Sequence, residues 1–329
     1  MKQSIPTILA LLLVALCLIA PACSEQTEPE EKNDTNREET KPADETPAVD
    51  GMPAAGETDS AEGTDSAKEI PGFTFAREET FSCGEVKRTV RIFVHDKTEL
   101  EFSLVEGGTF TMGMPEGVRL PQPAEAPQHE VTVPSFLICR TELPQAAWDK
   151  IADEVEDREW GDEREWTNER NPIEGINWHD ARAWCAAAGL RLPSEAEWEY
   201  ACRGGTTTDY CYGDGTGEDS DDDVMAAYGW IDINSGGYAR VVGLKKPNAF
   251  GLHDMHANVW EWCEDVFSDN YEGTPTDGSA HVGDDENRVF RGGGFARRAK
   301  YCKSGLRYRC PATQRHKFIG LRPAFSLPE

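Results

Sequence analysis

Long periodic runs of apolar residues are scarce in residues 71–329, where Trp, Gly and Cys occur at high density and Gly-rich turns are frequent. A helical bundle or a regular sandwich needs an apolar period that continues through whole elements. No internal repeat is visible in this region. The pattern therefore predicts a loop-rich domain of short elements, which needs disulfides, bound ions or buried Trp side chains to hold its shape.

A few short segments nevertheless carry clear signals of regular structure. Weak alternation predicts strands at residues 90–94, 100–105 and 109–112. Helix-forming runs predict helices at residues 144–152, 178–188 and 194–203. Asn177 can cap the second helix, and Ser194 with Glu197 forms a capping box at the start of the third. Little regular structure is predicted for the hundred or so residues that follow.

The N-terminus has the pattern of a secretory signal over residues 1–22. A positive start at Lys2 is followed by an apolar run that is too short for a comfortable membrane span. The run ends at Ala20-Pro21-Ala22-Cys23. As a lipobox this sequence makes Cys23 the lipidated first residue of the mature chain, whereas as an Ala-x-Ala site it is cut at the same bond without lipid. We favour lipidation, which predicts an exported, membrane-anchored lipoprotein in the periplasm or on the cell surface.

Residues 23–70 are expected to be the lipidated Cys23 followed by a disordered acidic linker. The stretch consists mainly of Glu, Asp, Thr, Pro, Ala and Ser and has too few large apolar side chains to offset the entropy of ordering. The whole chain has a net charge of −27, from 60 Asp and Glu against 33 Lys and Arg. This charge argues against nucleic acid as a partner and leaves the N-terminal lipid as the expected membrane contact. The folded domain is expected to cover residues 71–329.

The ten cysteines point to an oxidising compartment. One lies in the signal and one at the cleavage site, and the even number that remains is typical of disulfides in an exported protein. The remaining cysteines are Cys83, Cys139, Cys185, Cys202, Cys211, Cys263, Cys302 and Cys310. Their spacing leaves the pairing open, and because none forms a Cys-x-x-Cys pair, a zinc ribbon is not expected.

A series of ordered blocks resembles the formylglycine-generating-enzyme family, also called sulfatase-modifying factors. The blocks are GGTFTMG at residues 107–113, PQHEV at 127–131, RTEL at 140–143, INWHDA at 176–181, RLPSEAEWEY at 191–200, NAFGLHDM at 248–255, NVWEW at 258–262, RVFRGGG at 288–294 and GLR at 320–322. Each block alone is a weak signal, but the ordered set is specific. The resemblance implies a single irregular α+β domain related to C-type lectins, with short helices and small antiparallel sheets.

The family's named enzyme oxidises a cysteine of sulfatases to formylglycine with oxygen and copper. Its copper ligands are two cysteines, spaced Cys-x-x-x-x-Cys, after the glycine-rich block, because soft thiolates select Cu(I). Aligned on the glycines, this chain has Arg297 at the first position and Cys302 at the second. Aligned on residues 307–310, it has Lys300 and Gly305. We therefore expect no copper and a non-catalytic binding or accessory module, and Cys302 is the catalytic candidate for the alternative, an oxidase of protein cysteines.

The resemblance also implies a structural calcium ion and one disulfide. Calcium would be held by the side chains of Asp254 and Glu261 and by the backbone carbonyls of Ala257 and Val259, since Ca²⁺ prefers oxygen ligands. A second, looser match lies near residues 232–234. The implied disulfide joins Cys202 to Cys310, with Cys202–Cys302 as the alternative. The partner is expected to be a protein or peptide that the sequence does not identify.

Overall fold

The computed structural model of the chain describes residues 69–114, 123–155, 168–216 and 220–328. The predicted signal peptide, Cys23 and nearly all of the acidic linker lie outside these ranges. Residues 68–329 group into one compact unit. None of the helices in the described ranges is long and apolar enough to span a membrane.

The described residues contain short strands and short helices joined by long connections. The strands are β1 Phe73–Cys83, β2 Val86–His95, β3 Glu101–Val105, β4 Gly108–Met112, β5 His129–Val133, β6 Phe136–Cys139, β7 Trp260–Val266, β8 Asn287–Arg291, β9 Arg307–Pro311, β10 Ile319–Gly320 and β11 Ala324–Ser326. The α-helices are α1 Gln145–Ala152, α2 Trp178–Ala188, α3 Glu195–Arg203, α4 Ser220–Met225 and α5 Asp232–Ser235. Single 3₁₀ turns lie at Pro123–Glu125 and Ala299–Tyr301.

The strands form three small sheets. The first has the order β1-β2-β3-β6-β11 and is antiparallel throughout. The second has the order β10-β7-β8-β9, in which β10 and β7 run parallel and the other pairs run antiparallel. The third is the antiparallel pair β4-β5. This α+β arrangement confirms the predicted fold class, with one parallel pair among the antiparallel ones.

The predicted strands and helices are confirmed, whereas the C-terminal third has more regular structure than the sequence indicated. The predicted strands correspond to β2, β3 and β4, and the predicted helices to α1, α2 and α3. The prediction of little structure after residue 203 was wrong, because β7, β8 and β9 pair into a sheet. Strand β7 shows no alternation, since both of its faces are largely buried, and its register shifts between Trp262 and Val266.

The caps of α2 and α3 form as their sequences predict. The Asn177 side chain accepts a hydrogen bond from the backbone N–H of Asp180, and the Asp180 carboxylate accepts one from Asn177. Ser194 and Glu197 make the equivalent pair at the start of α3. Left-handed glycines end both helices, at Gly189 and at residue 204. These local bonds satisfy the free backbone groups at the ends of the helices.

The core is built around Trp side chains in the middle of the domain. Trp184, Trp198 and Trp262 are fully buried, and Trp178 and Trp260 are nearly so. Trp260 and Trp262 lie on β7, and Trp198 lies on α3. The second sheet packs onto this helix. Helix α3 is buried along its whole length. It therefore positions the charged side chains described next.

Candidate functional site

A tight turn over residues 254–258, called here the central turn, leads into β7. Asp254, Ala257 and Asn258 have φ angles of 56°, 81° and 59°. This left-handed region is uncommon for residues other than glycine. All three side chains are at most 1% exposed. Such a backbone persists where the surrounding contacts over-determine it, which marks the central turn as a candidate site.

Glu142, just beyond β6, holds the central turn in place. Its Oε2 accepts a hydrogen bond of 2.6 Å from Asn258 Nδ2, and its Oε1 accepts one of 2.9 Å from the backbone N–H of Val259. Glu142 is completely buried. A carboxylate that follows the first sheet thus fixes the point at which the chain enters the second sheet.

Three buried carboxylates lie around the central turn and share one arginine. Arg322 donates to Glu261 from Nη2 at 2.7 Å and from Nε at 3.0 Å, and Trp198 donates to the same carboxylate at 2.6 Å. Burial, and then the charges of Asp254 and Glu261, raise the pKa of Glu142 well above its usual range. Burial also raises the pKa of Asp254 to about 6. The carboxylates outnumber the arginine, and their mutual repulsion contributes to these raised pKa values.

A second buried ion network joins α3 to strands β8 and β9. Arg291 donates to Glu195 at 2.6 Å and to Glu199 at 2.5 Å, and Arg307 donates to both oxygens of Glu195. Arg203 completes the group with a 2.7 Å contact to Glu199. The four-residue spacing of the two glutamates is readable from the sequence and places them on one helix face. The same spacing relates Glu199 to Arg203. The partners Arg291 and Arg307, about a hundred residues away, are not readable from the sequence.

Cys302 is buried beside the glycine-rich segment 292–294. The thiol is completely buried, and a Cβ on Gly293 would collide with its sulfur. Burial raises the pKa of Cys302 to about 12. Arg297 is half-buried and Lys300 is exposed nearby. A thiol in these surroundings stays protonated and is closed to a bulky reactant.

Comparison with known proteins supports the family that the ordered sequence blocks indicated. The family model of the sulfatase-modifying factor enzyme 1-like domain matches residues 92–327. The chain belongs to this family.

Known proteins are similar to different lengths of the chain. The formylglycine-generating enzyme of Streptomyces coelicolor is 36% identical over 149 residues, which are 43% of this chain and 46% of that enzyme. The serine/threonine-protein kinase Pkn1 of Chlamydia trachomatis is 28% identical over 215 residues, which are 59% of this chain and 33% of that protein. The match thus spans less than half of either relative. The structure of PvdO from Pseudomonas aeruginosa has a TM-score of 0.65 and 29% identity, and the match covers 72% of this chain and 98% of PvdO.

In this sulfatase-modifying-factor domain, the residues predicted for calcium lie together but fit the ion unequally. Asp254 Oδ2 accepts from the backbone N–H of Gly243 at 2.7 Å, whereas its buried Oδ1 has no hydrogen-bond partner. That free carboxylate oxygen fits a calcium ligand. Both oxygens of Glu261 already accept hydrogen bonds from Arg322. Glu261 would therefore have to bind calcium and the arginine at the same time. Ala257 lies in the central turn with a positive φ, a conformation that costs an alanine more than a glycine, and Val259 directly follows the turn.

The looser calcium match and the neighbouring histidines have other partners. The Asn234 side chain accepts a hydrogen bond from the backbone N–H of Ile231 and donates to the carbonyls of Ala226 and Gly229. His256 is bound on both ring nitrogens, by the backbone N–H of Cys211 and the carbonyl of Cys302. In the described ranges, no three His, Cys, Asp or Glu side chains lie close enough to share a metal ion.

The implied bond between Cys202 and Cys310 is not formed in the structure, where both are separate thiols. Cys202, in α3, has its sulfur near the Met255 carbonyl and the ring of His256. Cys310, in β9, has its sulfur 3.2 Å from Gln314 Oε1. Cys302, the alternative partner, is also a separate thiol. The pairing of Cys202 with Cys310 stays a prediction from the resemblance.

Proposed function

We propose that the chain is an exported lipoprotein whose sulfatase-modifying-factor domain works as a non-catalytic binding or accessory module for a protein or peptide partner. The surroundings of Cys302 carry this proposal. The thiol that aligns with a copper ligand is completely buried, its pKa is raised to about 12, and Arg297 stands at the other aligned position. Copper oxidation of a substrate thiol needs two thiolates that the substrate can approach.

The distribution of the domain among relatives also supports a module. In Pkn1 the matched region is 33% of a protein named as a kinase, whereas in Streptomyces coelicolor it lies in a formylglycine-generating enzyme. The same fold therefore accompanies more than one activity, as expected when function lies in a site rather than in the fold.

A turnover assay tests the non-catalytic proposal. The full chain is mixed with Cu(I), oxygen and a peptide containing Cys-x-Pro-x-Arg, and the peptide aldehyde is sought by mass spectrometry, with the Streptomyces coelicolor enzyme as a positive control. We expect no aldehyde from this chain. Aldehyde formation that is lost in Cys302→Ser and kept in Cys185→Ser, a second buried cysteine, would overturn the proposal and establish the alternative, a formylglycine-generating oxidase.

We also propose that the central turn binds one structural calcium ion through Asp254. Support comes from its partnerless buried oxygen and from the three carboxylates that surround a single arginine. Bound calcium would neutralise this charge and hold the left-handed turn. It would supply no redox chemistry.

Thermal unfolding with calcium or with a chelator tests this proposal. Calcium is expected to raise the Tm of the unmodified chain by several degrees, since a ligand that binds only the folded state stabilises it. Asp254→Asn should remove the shift, and Asp277→Asn, an exposed carboxylate, should keep it. The proposal fails if calcium leaves the Tm of the unmodified chain unchanged, or if it shifts Asp254→Asn equally.

The membrane anchor is proposed to be a lipid on Cys23, after cleavage of residues 1–22. Growth with an alkyne-labelled fatty acid should label the chain, and Cys23→Ser should abolish the label. Cys17→Ser, inside the predicted signal, is the matched control and should retain it. A chain that is cut at the same bond but unlabelled would instead favour ordinary signal-peptidase cleavage.

A further inference from the structure

Two cysteines from distant parts of the chain meet in a buried pocket of the structure. Cys83 ends β1 and Cys211 lies in the connection after α3, 128 residues later. Their sulfur atoms are 3.0 Å apart, and each residue is 2% exposed. The surrounding side chains are those of Val86, Ala249, Tyr212 and Tyr228. These side chains form a largely apolar shell around the pair.

The backbones on either side of the two cysteines are also in close contact. Gly84 turns the chain between β1 and β2 with a φ of 55°. A Cβ at this position would lie 3.2 Å from the carbonyl oxygen of Tyr212, tighter than ordinary packing. The tip of the hairpin is therefore docked directly on the segment that carries Cys211. The meeting of the two sulfurs follows from this docking, not from the rotamer of one side chain.

The hairpin that carries Cys83 lies at the edge of the family domain. The family match begins at residue 92, so β1 and the first half of β2 precede it. Strand β1 pairs with β2 alone, at the end of the first sheet. Pairing of β2 with β3 and the packing of Phe81 hold the body of the hairpin, and a bond at Cys83 would add a covalent hold at its tip.

The local electrostatics favour thiol chemistry at Cys83. The hydrogen bond shared with Cys211 is the largest influence on Cys83 and lowers its pKa, and Tyr228 and Lys246 act in the same direction. The thiolate is the form of cysteine that attacks a disulfide.

We propose that Cys83 and Cys211 form a disulfide that fastens the N-terminal hairpin to the domain. The oxidant is a small-molecule or protein disulfide. The Cys83 thiolate attacks one sulfur of the donor and releases the other as a thiol, and Cys211 then displaces the second. The two cysteines lose two protons and two electrons, and the donor disulfide gains them as two thiols. Because the docked pair is buried, the exchange begins at Cys83 when a local opening of the hairpin tip admits the donor, and the bond to Cys211 closes as the tip docks again.

Peptide mapping of the full chain after oxidation tests the proposal. The folded chain is equilibrated with oxidised glutathione, free thiols are then blocked with an alkylating reagent in guanidinium chloride, and the unreduced protein is digested with trypsin. Cys83 is the single cysteine of tryptic peptide 78–87, and Cys211 is the single cysteine of peptide 204–240. We expect these two peptides as one linked species that separates on reduction. The intact oxidised chain should carry two fewer alkyl groups than the reduced chain.

Variants distinguish this pair from the other cysteines. Cys83→Ala should leave Cys211 alkylated and Cys211→Ala should leave Cys83 alkylated, whereas Cys185→Ala should leave the linked species unchanged. Alkylation of both thiols, a link from either one to a different cysteine, or a stable glutathione adduct on either would overturn the proposal. Since the oxidant is added, these outcomes do not depend on export or on the proposed lack of copper chemistry.

Discussion

Arg322 and Glu261 form a side-on ion pair inside the protein, with Arg322 Nη2 2.7 Å from Glu261 Oε1 and Nε 3.0 Å from Oε2. Their side chains are 0% and 1% exposed. A buried charge that loses its partner keeps its desolvation cost without the attraction that offset it. Arg322 also stands among Glu142 and Asp254, whose charges it moderates. This arginine is therefore a fully buried cation that offsets the carboxylates of the central turn.

Arg322→Met is expected to lower the free energy of unfolding by about 3–5 kcal/mol, because it leaves buried carboxylates without their arginine. Urea unfolding followed by circular dichroism measures the loss. Lys97→Met breaks the partly exposed pair with Glu154, whose Nζ–Oε2 distance is 2.6 Å, and should cost less than about 1 kcal/mol. Equal losses in the two variants would contradict this account of Arg322.

Ala257 should tolerate glycine and reject a β-branched side chain. Its φ is 81° and it is completely buried. Ala257→Gly relieves the left-handed strain and loses one methyl contact, two effects of about 1 kcal/mol that oppose each other. Ala257→Val adds volume and a branched Cβ where φ is positive, and is expected to cost more than about 3 kcal/mol. Unfolding midpoints measure both, and a tolerated valine would mean that the turn can relax to a negative φ.

The pH dependence of stability should contain a contribution from Asp265. Burial, and then Glu195, raise the pKa of Asp265 to about 7, above the usual 3.8. The folded state therefore binds this proton more tightly, so the stabilisation is complete below about pH 4 and is lost as the pH rises through about 7. A shift of this size corresponds to a change on the order of 4 kcal/mol.

Asp265→Asn does not titrate and should show a correspondingly flatter profile of unfolding free energy over this pH range. Asp277→Asn, at an exposed carboxylate, is the control and should follow the unmodified chain. The assignment to Asp265 is wrong if its variant keeps the full pH dependence.

Reduction should destabilise the oxidised chain if Cys83 and Cys211 are bonded. A crosslink between residues 128 apart restricts the unfolded chain strongly, and the chain-entropy account assigns about 4 kcal/mol or more to a loop of this length. For a domain of this size, that loss lowers the Tm by on the order of 10 °C. Scanning calorimetry with and without a phosphine reductant measures the difference. The double variant Cys83→Ala/Cys211→Ala should show no reductant effect from this pair, and an unchanged drop would assign the effect to other cysteines.

Cys302 should be almost inert to alkylation in the folded protein. With a pKa of about 12, its thiolate fraction at neutral pH is on the order of a thousand times below that of a free cysteine. Timed labelling with iodoacetamide, followed by peptide mapping, measures the rate at Cys302. Labelling in guanidinium chloride should be complete and provides the control. Rapid labelling of the folded chain would show that the thiol is reachable and would favour the oxidase alternative.

The sequence was sufficient wherever the deciding interaction spans only a few residues. Asn177 with Asp180 and Ser194 with Glu197 satisfy backbone groups within one helical turn, so the starts of α2 and α3 could be predicted. The ordered family blocks likewise predicted the fold class, because each block is contiguous in the chain.

The conformation and contacts of the central turn could not be predicted from the sequence. The residues proposed to bind calcium could be named from their block, but the positive φ of Ala257 and the engagement of Glu261 with Arg322 could not. A backbone angle and a choice between two partners depend on how neighbouring elements pack, and one sequence contains no record of that packing.

The sequence by itself determined the short helices with their caps, the family and the acidic, cysteine-bearing character of the chain. Tertiary structure alone decided which distant side chains meet: Arg291 with Glu195, and Cys83 with Cys211. Local hydrogen bonds form between residues that are always near one another, so sequence suffices for them. Contacts across a hundred residues exist only after the chain has closed large loops around a common core, and the identity of their partners is set by that closure.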